Sequence, residues 1–386
     1  MGYKVDTHFA LAPLVWVSMA LYVFLGVGIA QAQSQTPAQK VLHKIHNTTA
    51  KQQRVGSNPD LPTVAIITTG GTIAEKEDAK TGGAVPAVSG TKLVHAVEGL
   101  QKIANIEVVN FCNIDSSQMN PKIWAELSKK VDSLLAQSDI IGAVVTHGTD
   151  TMATGAYMLD VTLKTEKPVV FTGAMNDASS IDPDGPANIL HAVQQVCAQP
   201  DSGWGVTVTL NRYISNAQTV RKTQTTNPQT FRSGPAGYLG YVFNGRVIAY
   251  NAAVQRQRLP LPETLPRVVY VASYAGADGS LVRQAVDSGA KGIVIDGLGA
   301  GNVNAATYEA IQYALAQGVH VVASSRVYYG GFEPIYGDEG GGKTLVDQGC
   351  LQAPEHLTGP KARILLMLAL GNYSDAPERL EAVFQR

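Results

Sequence analysis

The chain is poor in cysteine and has no excess of charge of either sign. Three cysteines, Cys112, Cys197 and Cys350, occur in 386 residues, and an odd number leaves at least one unpaired within the chain. Their spacing fits neither a metal site nor a redox pair, so buried structural cysteine is the expected role of each. With 30 basic and 31 acidic residues the formal net charge is −1, which gives no electrostatic footprint for nucleic acid or an anionic membrane. A dinucleotide loop is also missing. In Gly297-Leu298-Gly299-Ala300-Gly301 the third glycine falls one position early for G-x-G-x-x-G, so a turn is expected there. No cofactor and no metal are expected, and a small-molecule substrate is the partner that remains.

What is present is the composition of a soluble enzyme, 45% hydrophobic and 16% charged, long enough for about two domains. The first 32 residues differ from the rest. Lys4 precedes an apolar run from Phe9 to Ala30, broken by Pro13 and followed by Ala30-Gln31-Ala32, an A-x-A cleavage pattern. Residues 1–32 read as a cleaved export signal and 33–60, rich in Gln, Asn, Lys and His, as a disordered lead-in. A membrane anchor is the alternative, because the run approaches the span of a bilayer. Cleavage predicts a periplasmic or secreted protein without stable membrane association.

Two strings carry the chemistry. Thr69-Gly70-Gly71-Thr72-Ile73-Ala74 ends the apolar run Val64-Ala65-Ile66-Ile67, and His147-Gly148-Thr149-Asp150-Thr151 ends Ile140-Ile141-Gly142-Ala143-Val144-Val145. Each can place a threonine hydroxyl on a turn at the carboxyl end of a strand, where open α/β sheets keep their active sites. Consecutive glycines let the backbone turn tightly and approach a ligand closely. Taken singly, a Gly-Gly turn is usually structural, and Asp150 is as well explained as a helix cap.

Alternating strand and helix patterns run to the carboxyl end, which predicts an α/β fold with mostly parallel sheets flanked by helices. Asn120 caps and Pro121 opens a helix with Trp124, Leu127, Val131, Leu134 and Leu135 on one face. Strands are expected near 139–146, 167–172 and 205–210. A proline-spaced linker at 255–266 then separates an N-terminal domain, 61–254, from a C-terminal domain, 267–386.

Further segments join the two strings: Asn113-Ile114-Asp115-Ser116-Ser117-Gln118-Met119-Asn120, Lys167-Pro168-Val169-Val170-Phe171-Thr172-Gly173-Ala174-Met175, Asp184-Gly185-Pro186-Ala187-Asn188, Lys222-Thr223-Gln224-Thr225 and Ser324-Ser325-Arg326-Val327. With them, almost everything after residue 60 resembles the bacterial type II L-asparaginase and glutaminase-asparaginase family. The resemblance implies a two-domain asparaginase-like fold and hydrolysis of the side-chain amide of L-asparagine to L-aspartate and ammonia through a threonine acyl-enzyme. Its catalytic residues correspond to Thr72, Thr149, Asp150 and Lys222. Thr72 is the expected nucleophile, although the pattern leaves open which threonine attacks first. Gly71, Ser116, Ser117, Gly148 and Ala174 are implied to bind substrate, Ser116 through the α-carboxylate, while Asp150 has the charge to pair with the α-ammonium. His147 is expected to be a fixed core residue. A homotetramer, with sites completed across an intimate dimer, is carried over from the family.

The departures are specific. The family's lid tyrosine has no counterpart in Glu75 to Pro86, so Thr72 needs another activating group: Lys222 through a water or, as favoured here, Tyr328, Tyr329 or Tyr336. Ser117 stands where Gln or Glu is common, and Gly276 where an asparagine reaches across from the partner, so some glutaminase activity is expected. Glu333 and Glu339 both remain substitutes for the family's interface glutamate. Two other readings are an amino-acid-binding protein of the same fold with lost or weak turnover, and a cytoplasmic amidotransferase subunit acting on tRNA. Export and the absence of a basic surface weigh against the latter.

Overall fold

The computed structural model describes residues 40–43, 52–86, 88–198, 202–252 and 255–385. The expected export signal at 1–32 lies outside the described residues, as do 33–39 and 44–51 of the lead-in, whereas its Gln52–Val55 is an edge strand paired with Asn105–Asn110 and not the disordered segment expected. Among the described residues no helix is long and apolar enough to cross a membrane.

The β-branched runs become strands buried on both faces: Val64, Ile66, Ile67, Val144 and Val145 are all fully buried, as the middle of a sheet covered by helices requires. The larger sheet has nine strands in the order Gln52–Val55, Asn105–Asn110, Thr63–Thr68, Ile140–Thr146, Val169–Thr172, Val206–Leu210, Tyr213–Asn216, Gly240–Phe243 and Arg246–Ala249. From Asn105–Asn110 to Val206–Leu210 the pairing is parallel. Outside that block the strands are antiparallel. A smaller, all-parallel sheet of four strands follows, Val268–Ala272, Gly292–Gly297, His320–Ser325 and Leu351–Gln352.

Strand order decides where the site lies. From Thr63–Thr68 the chain passes to the neighbour on one side, Asn105–Asn110, and then returns to the other side at Ile140–Thr146. Their carboxyl ends therefore flank a topological switch point, the crevice where ligands enter open α/β sheets. Both threonine strings leave the sheet there. The crevice is held shut at its base by Thr69, whose N–H and hydroxyl both donate to the Thr146 carbonyl, at 3.1 and 2.9 Å.

The helix read from Asn120-Pro121 spans Pro121–Leu135, with the Asn120 side chain accepting from the N–H groups of Lys122 and Ile123. Gly297 to Asn302 forms the expected turn, closed by mutual Leu298 and Asn302 backbone bonds. Burial raises the thiol pKa of Cys350 to about 12 and of Cys197 to about 11, as suits structural cysteines. Cys112 donates to the Thr69 carbonyl.

Candidate active site

Glycine permits the two strings to meet. Gly70 and Gly71 have φ of 103° and 84°, backbone that L side chains rarely adopt. A Cβ on Gly71 would stand 2.2 Å from the Gly148 Cα, and one on Gly148 would stand 2.7 Å from the Ser116 Cβ and Oγ. Gly71 and Gly148 therefore meet backbone to backbone, with the Ser116 side chain against Gly148 and with Thr72 and Thr149 as the next residues along the two glycine loops. Thr72 opens a short 3-10 turn, Thr72–Ala74. Thr149 begins the helix Thr149–Thr162, whose cap position, Gly148, has no side chain to occupy the first N–H groups.

Lys222 comes from the Arg221–Lys222 strand of a two-stranded hairpin closed against Phe231–Arg232. Its Nζ donates to Thr149 Oγ1 at 2.9 Å and to Asp150 Oδ1 at 2.7 Å. Thr149 is 5% exposed, whereas the Asp150 side chain remains accessible. The hairpin is positioned from below by Lys361, a 1% exposed residue on the helix Gly359–Tyr373. Its ammonium donates to the carbonyls of Ala217, Gln218 and Val220 at 2.8, 2.8 and 2.6 Å, which uses all three of its donors just ahead of Arg221. Burial pushes the Lys361 pKa well down from the ordinary lysine value.

Ser116 is buried in the short turn Ser116–Gln118, capped by Asp115, which accepts from the Ser117 N–H at 2.8 Å. The Thr151 hydroxyl donates to the Ser116 carbonyl at 2.8 Å and ties that turn to the helix of Thr149. Ser117 is exposed beside it. Ala174 follows Gly173, whose missing side chain leaves room for the His147 carbonyl and the Thr149 methyl. Asp184 fixes this loop by accepting from the N–H groups of Met175 and Asn176, and Asn188 donates to the Gly173 carbonyl. The Asp184 to Asn188 segment thus acts as a brace.

His147 is wholly buried, and burial lowers its pKa to about 4. The Trp124 indole N–H donates to Nε2 at 3.2 Å, so the ring is neutral and its Nδ1–H donates to the Gly148 carbonyl at 2.7 Å. A histidine with both nitrogens committed serves structure, as expected. Among the described residues no hydrogen bond joins Thr72 to Tyr328, Tyr329 or Tyr336. Arg221 donates to the Tyr328 carbonyl and lies 5.4 Å over that ring, and successive strand residues face opposite ways, so Tyr328 sits on the side away from Lys222. Tyr329 packs on Tyr328, and Tyr336 is exposed. Gly276 has open space around it, and Glu333 and Glu339 are exposed. Glu75, three residues past Thr72, is 7% exposed, a burial that its charged neighbours in the sequence do not announce.

Family models for "Asparaginase, N-terminal" and "Glutaminase/Asparaginase C-terminal domain" match residues 63–255 and 267–384. The chain belongs to the asparaginase family. It is accordingly an amidohydrolase with L-asparaginase activity, and its two-domain α/β architecture is the asparaginase one. It is 34% identical over 380 residues to L-asparaginase 2 of Bacillus subtilis, covering 96% of this chain and 98% of that one. It is 36% identical to L-asparaginase 2 of Escherichia coli, over 84% of this chain and 93% of that one. A crystal structure described as a probable cytoplasmic L-asparaginase from Campylobacter jejuni superposes with a TM-score of 0.75 at 36% identity, covering 84% of this asparaginase and 99% of its own chain. That likeness corrects one expectation. The periplasmic or secreted location inferred from the amino-terminal apolar run is not supported, because the structural neighbour is described as a probable cytoplasmic enzyme.

Proposed function

We propose that the enzyme hydrolyses L-asparagine through an acyl-enzyme on Thr72, with Thr149, Asp150 and Lys222 as the second half of the catalytic group. The observation that carries this reading is the Lys222 ammonium, which bridges the Thr149 hydroxyl and the Asp150 carboxylate across the switch-point crevice. Thr72 attacks the side-chain carbonyl, the amide C–N bond breaks to release ammonia, and water hydrolyses the ester. Ser116 and the uncapped start of the helix Thr149–Thr162 suit the substrate α-carboxylate, and the accessible Asp150 suits its α-ammonium. Gly71, Gly148 and Ala174 give the backbone wall against which the substrate lies, and Ser117 borders it.

The pocket is read as admitting glutamine, one methylene longer, because Ser117 is small and exposed; such a difference is worth only about 1–3 kcal/mol. Domains at 61–254 and 267–386 joined by 255–266, and a homotetramer completed by Glu333 or Glu339 of a second copy, extend the reading. The exposed Tyr328, Tyr329, Ile335 and Tyr336 supply apolar surface for that contact. No stable membrane association is proposed.

The test is ammonia release from Asn and Gln together with hydroxylamine trapping, which converts an acyl-enzyme into a hydroxamate. Hydroxamate from the native protein and none from folded Thr72→Ala supports the reading. A folded Thr72→Ala protein that keeps a tenth of the activity removes Thr72 as nucleophile, and no ammonia from either substrate leaves the amino-acid-binding reading. In Ser117→Gln the Asn:Gln ratio of kcat/KM should rise.

A further inference from the structure

Thr149 has Lys222 as its hydrogen-bond partner; Thr72 has Glu75 three residues on. Glu75 ends the 3-10 turn Thr72–Ala74, its own N–H bonded to the Thr72 carbonyl. Side chains three residues apart in such a turn eclipse one another, which puts the Glu75 side chain on the same edge of the turn as Thr72, near enough for the Thr72 hydroxyl to hold its pKa down. The residue is held there from both sides. It pairs with Pro86 at the head of the hairpin Glu75–Asp78 and Gly83–Pro86, and its carbonyl accepts from the Ala178 N–H at 3.3 Å. Glu75 is only 7% exposed, and among the described residues no cation acts on its carboxyl, so its burial is not that of an ion pair.

We propose that Glu75 is the general base that activates Thr72. The proposal rests on Thr72 being the nucleophile. As Thr72 Oγ bonds to the amide carbon, its proton passes to the Glu75 carboxylate. The same proton is then delivered to the leaving nitrogen as the C–N bond breaks, and ammonia departs. In the second half, Glu75 takes a proton from water as the water oxygen bonds to the ester carbon, and the proton returns to Thr72 Oγ as the ester C–O bond breaks. Glu75 is an ionised carboxylate at the start and the end.

The surroundings suit this work. Burial first, then the charges of Asp115 and Asp177, push the Glu75 pKa up from the ordinary carboxylate value of 4.5, while Thr72 opposes the rise and Asp150 adds to it. These groups face Glu75 from the turn before Ser116, the loop after Val169–Thr172 and the helix of Thr149, and Lys222 neutralises the last. A base whose pKa is moved toward the working pH transfers protons more effectively.

The experiment is the pH profile of kcat/KM for ammonia release in the native protein, Glu75→Gln, Glu75→Asp, Asp177→Asn and the Glu75→Gln/Asp177→Asn double variant, with hydroxylamine trapping in each. Since the base must be ionised, the native rate falls on the acid side with a midpoint above 4.5. Glu75→Gln should lose that limb and about a hundredfold or more in plateau rate, and Glu75→Asp should keep the limb and recover part of the rate. Asp177→Asn removes a like charge without touching Glu75, so the midpoint should move to lower pH at an unchanged plateau, and in the double variant the shift should vanish. A limb that persists in Glu75→Gln, or a midpoint that ignores Asp177→Asn, overturns the assignment. Should either occur while hydroxamate still forms and disappears in Thr72→Ala, Glu75 falls and Thr72 stands; absence of hydroxamate from the native protein overturns both.

Discussion

Gly71 and Gly148 meet backbone to backbone: any Cβ on Gly71 would lie 2.2 Å from the Gly148 Cα and 2.5 Å from its N. The contact exists because the strands ahead of the two residues, Thr63–Thr68 and Ile140–Thr146, are direct parallel neighbours. It sets how far apart the two threonines can stand.

Gly71→Ala should therefore be among the most damaging single substitutions. The alanine would meet backbone that cannot move without shifting the sheet, at a φ of 84° that L residues avoid. Strain and overpacking each cost about 1–3 kcal/mol, so urea unfolding should show a loss of about 3 kcal/mol or more. A variant of native stability would mean the two turns are free to separate.

Thr149→Val and Lys222→Met should each lower kcat by about three orders of magnitude, because groups acting as a unit lose activity together. The double variant should be little worse than either single one. Additive losses in steady-state assays, with folding confirmed by circular dichroism, would separate the two side chains functionally despite their 2.9 Å bond.

His147 provides a pH prediction for stability. Its pKa is lowered on folding from 6.5 to about 4, so as pH falls the unfolded chain takes up the proton first. Its contribution is complete above pH 6.5, is lost as pH falls from there to about 4, and amounts to about 3 kcal/mol. Unfolding free energies measured across that range should decline accordingly. Nitrogen NMR should show a neutral, Nδ1-protonated ring at pH 7 and still at pH 5; titration near 6.5 would contradict the buried Trp124 bond.

Lys361→Met should destabilise and also slow turnover. Two buried carbonyls and one half-buried carbonyl would lose their donor, at about 1–3 kcal/mol each for the buried ones when unmatched, and the turn that delivers Lys222 would loosen. Denaturant unfolding should show a loss of roughly 3 kcal/mol or more, and the folded fraction should have a reduced kcat. Full activity in folded protein would show that the hairpin keeps its own place.

Much of this was legible in the residues. Local chemistry wrote the strands, because runs such as Val64 to Ile67 have nothing polar to show to water, and it wrote the helix at Pro121 through its cap and its apolar face. It also marked the threonines, whose glycines announce a turn. The roles of Asp184, Lys361 and Glu75 were not legible, since each depends on who its neighbours are. A carboxylate, an ammonium and another carboxylate look like solvated surface groups in a sequence, and only folding shows the first accepting from N–H groups, the second buried against carbonyls and the third buried three residues from Thr72. The three-residue spacing from Thr72 to Glu75 was there to be read, but the significance of that spacing depends on a 3-10 turn that a sequence of this length does not declare. Tyr328 shows the converse: the residue type suits the activation of a hydroxyl, but the described contacts of its ring and carbonyl are with Arg221. Sequence alone determined which segments are stiff, apolar or able to turn, because those properties belong to single residues and their immediate neighbours. Tertiary structure decided which side chains share a crevice, because strand order at the switch point brings together residues separated by dozens of positions, and burial there changes what each group can do.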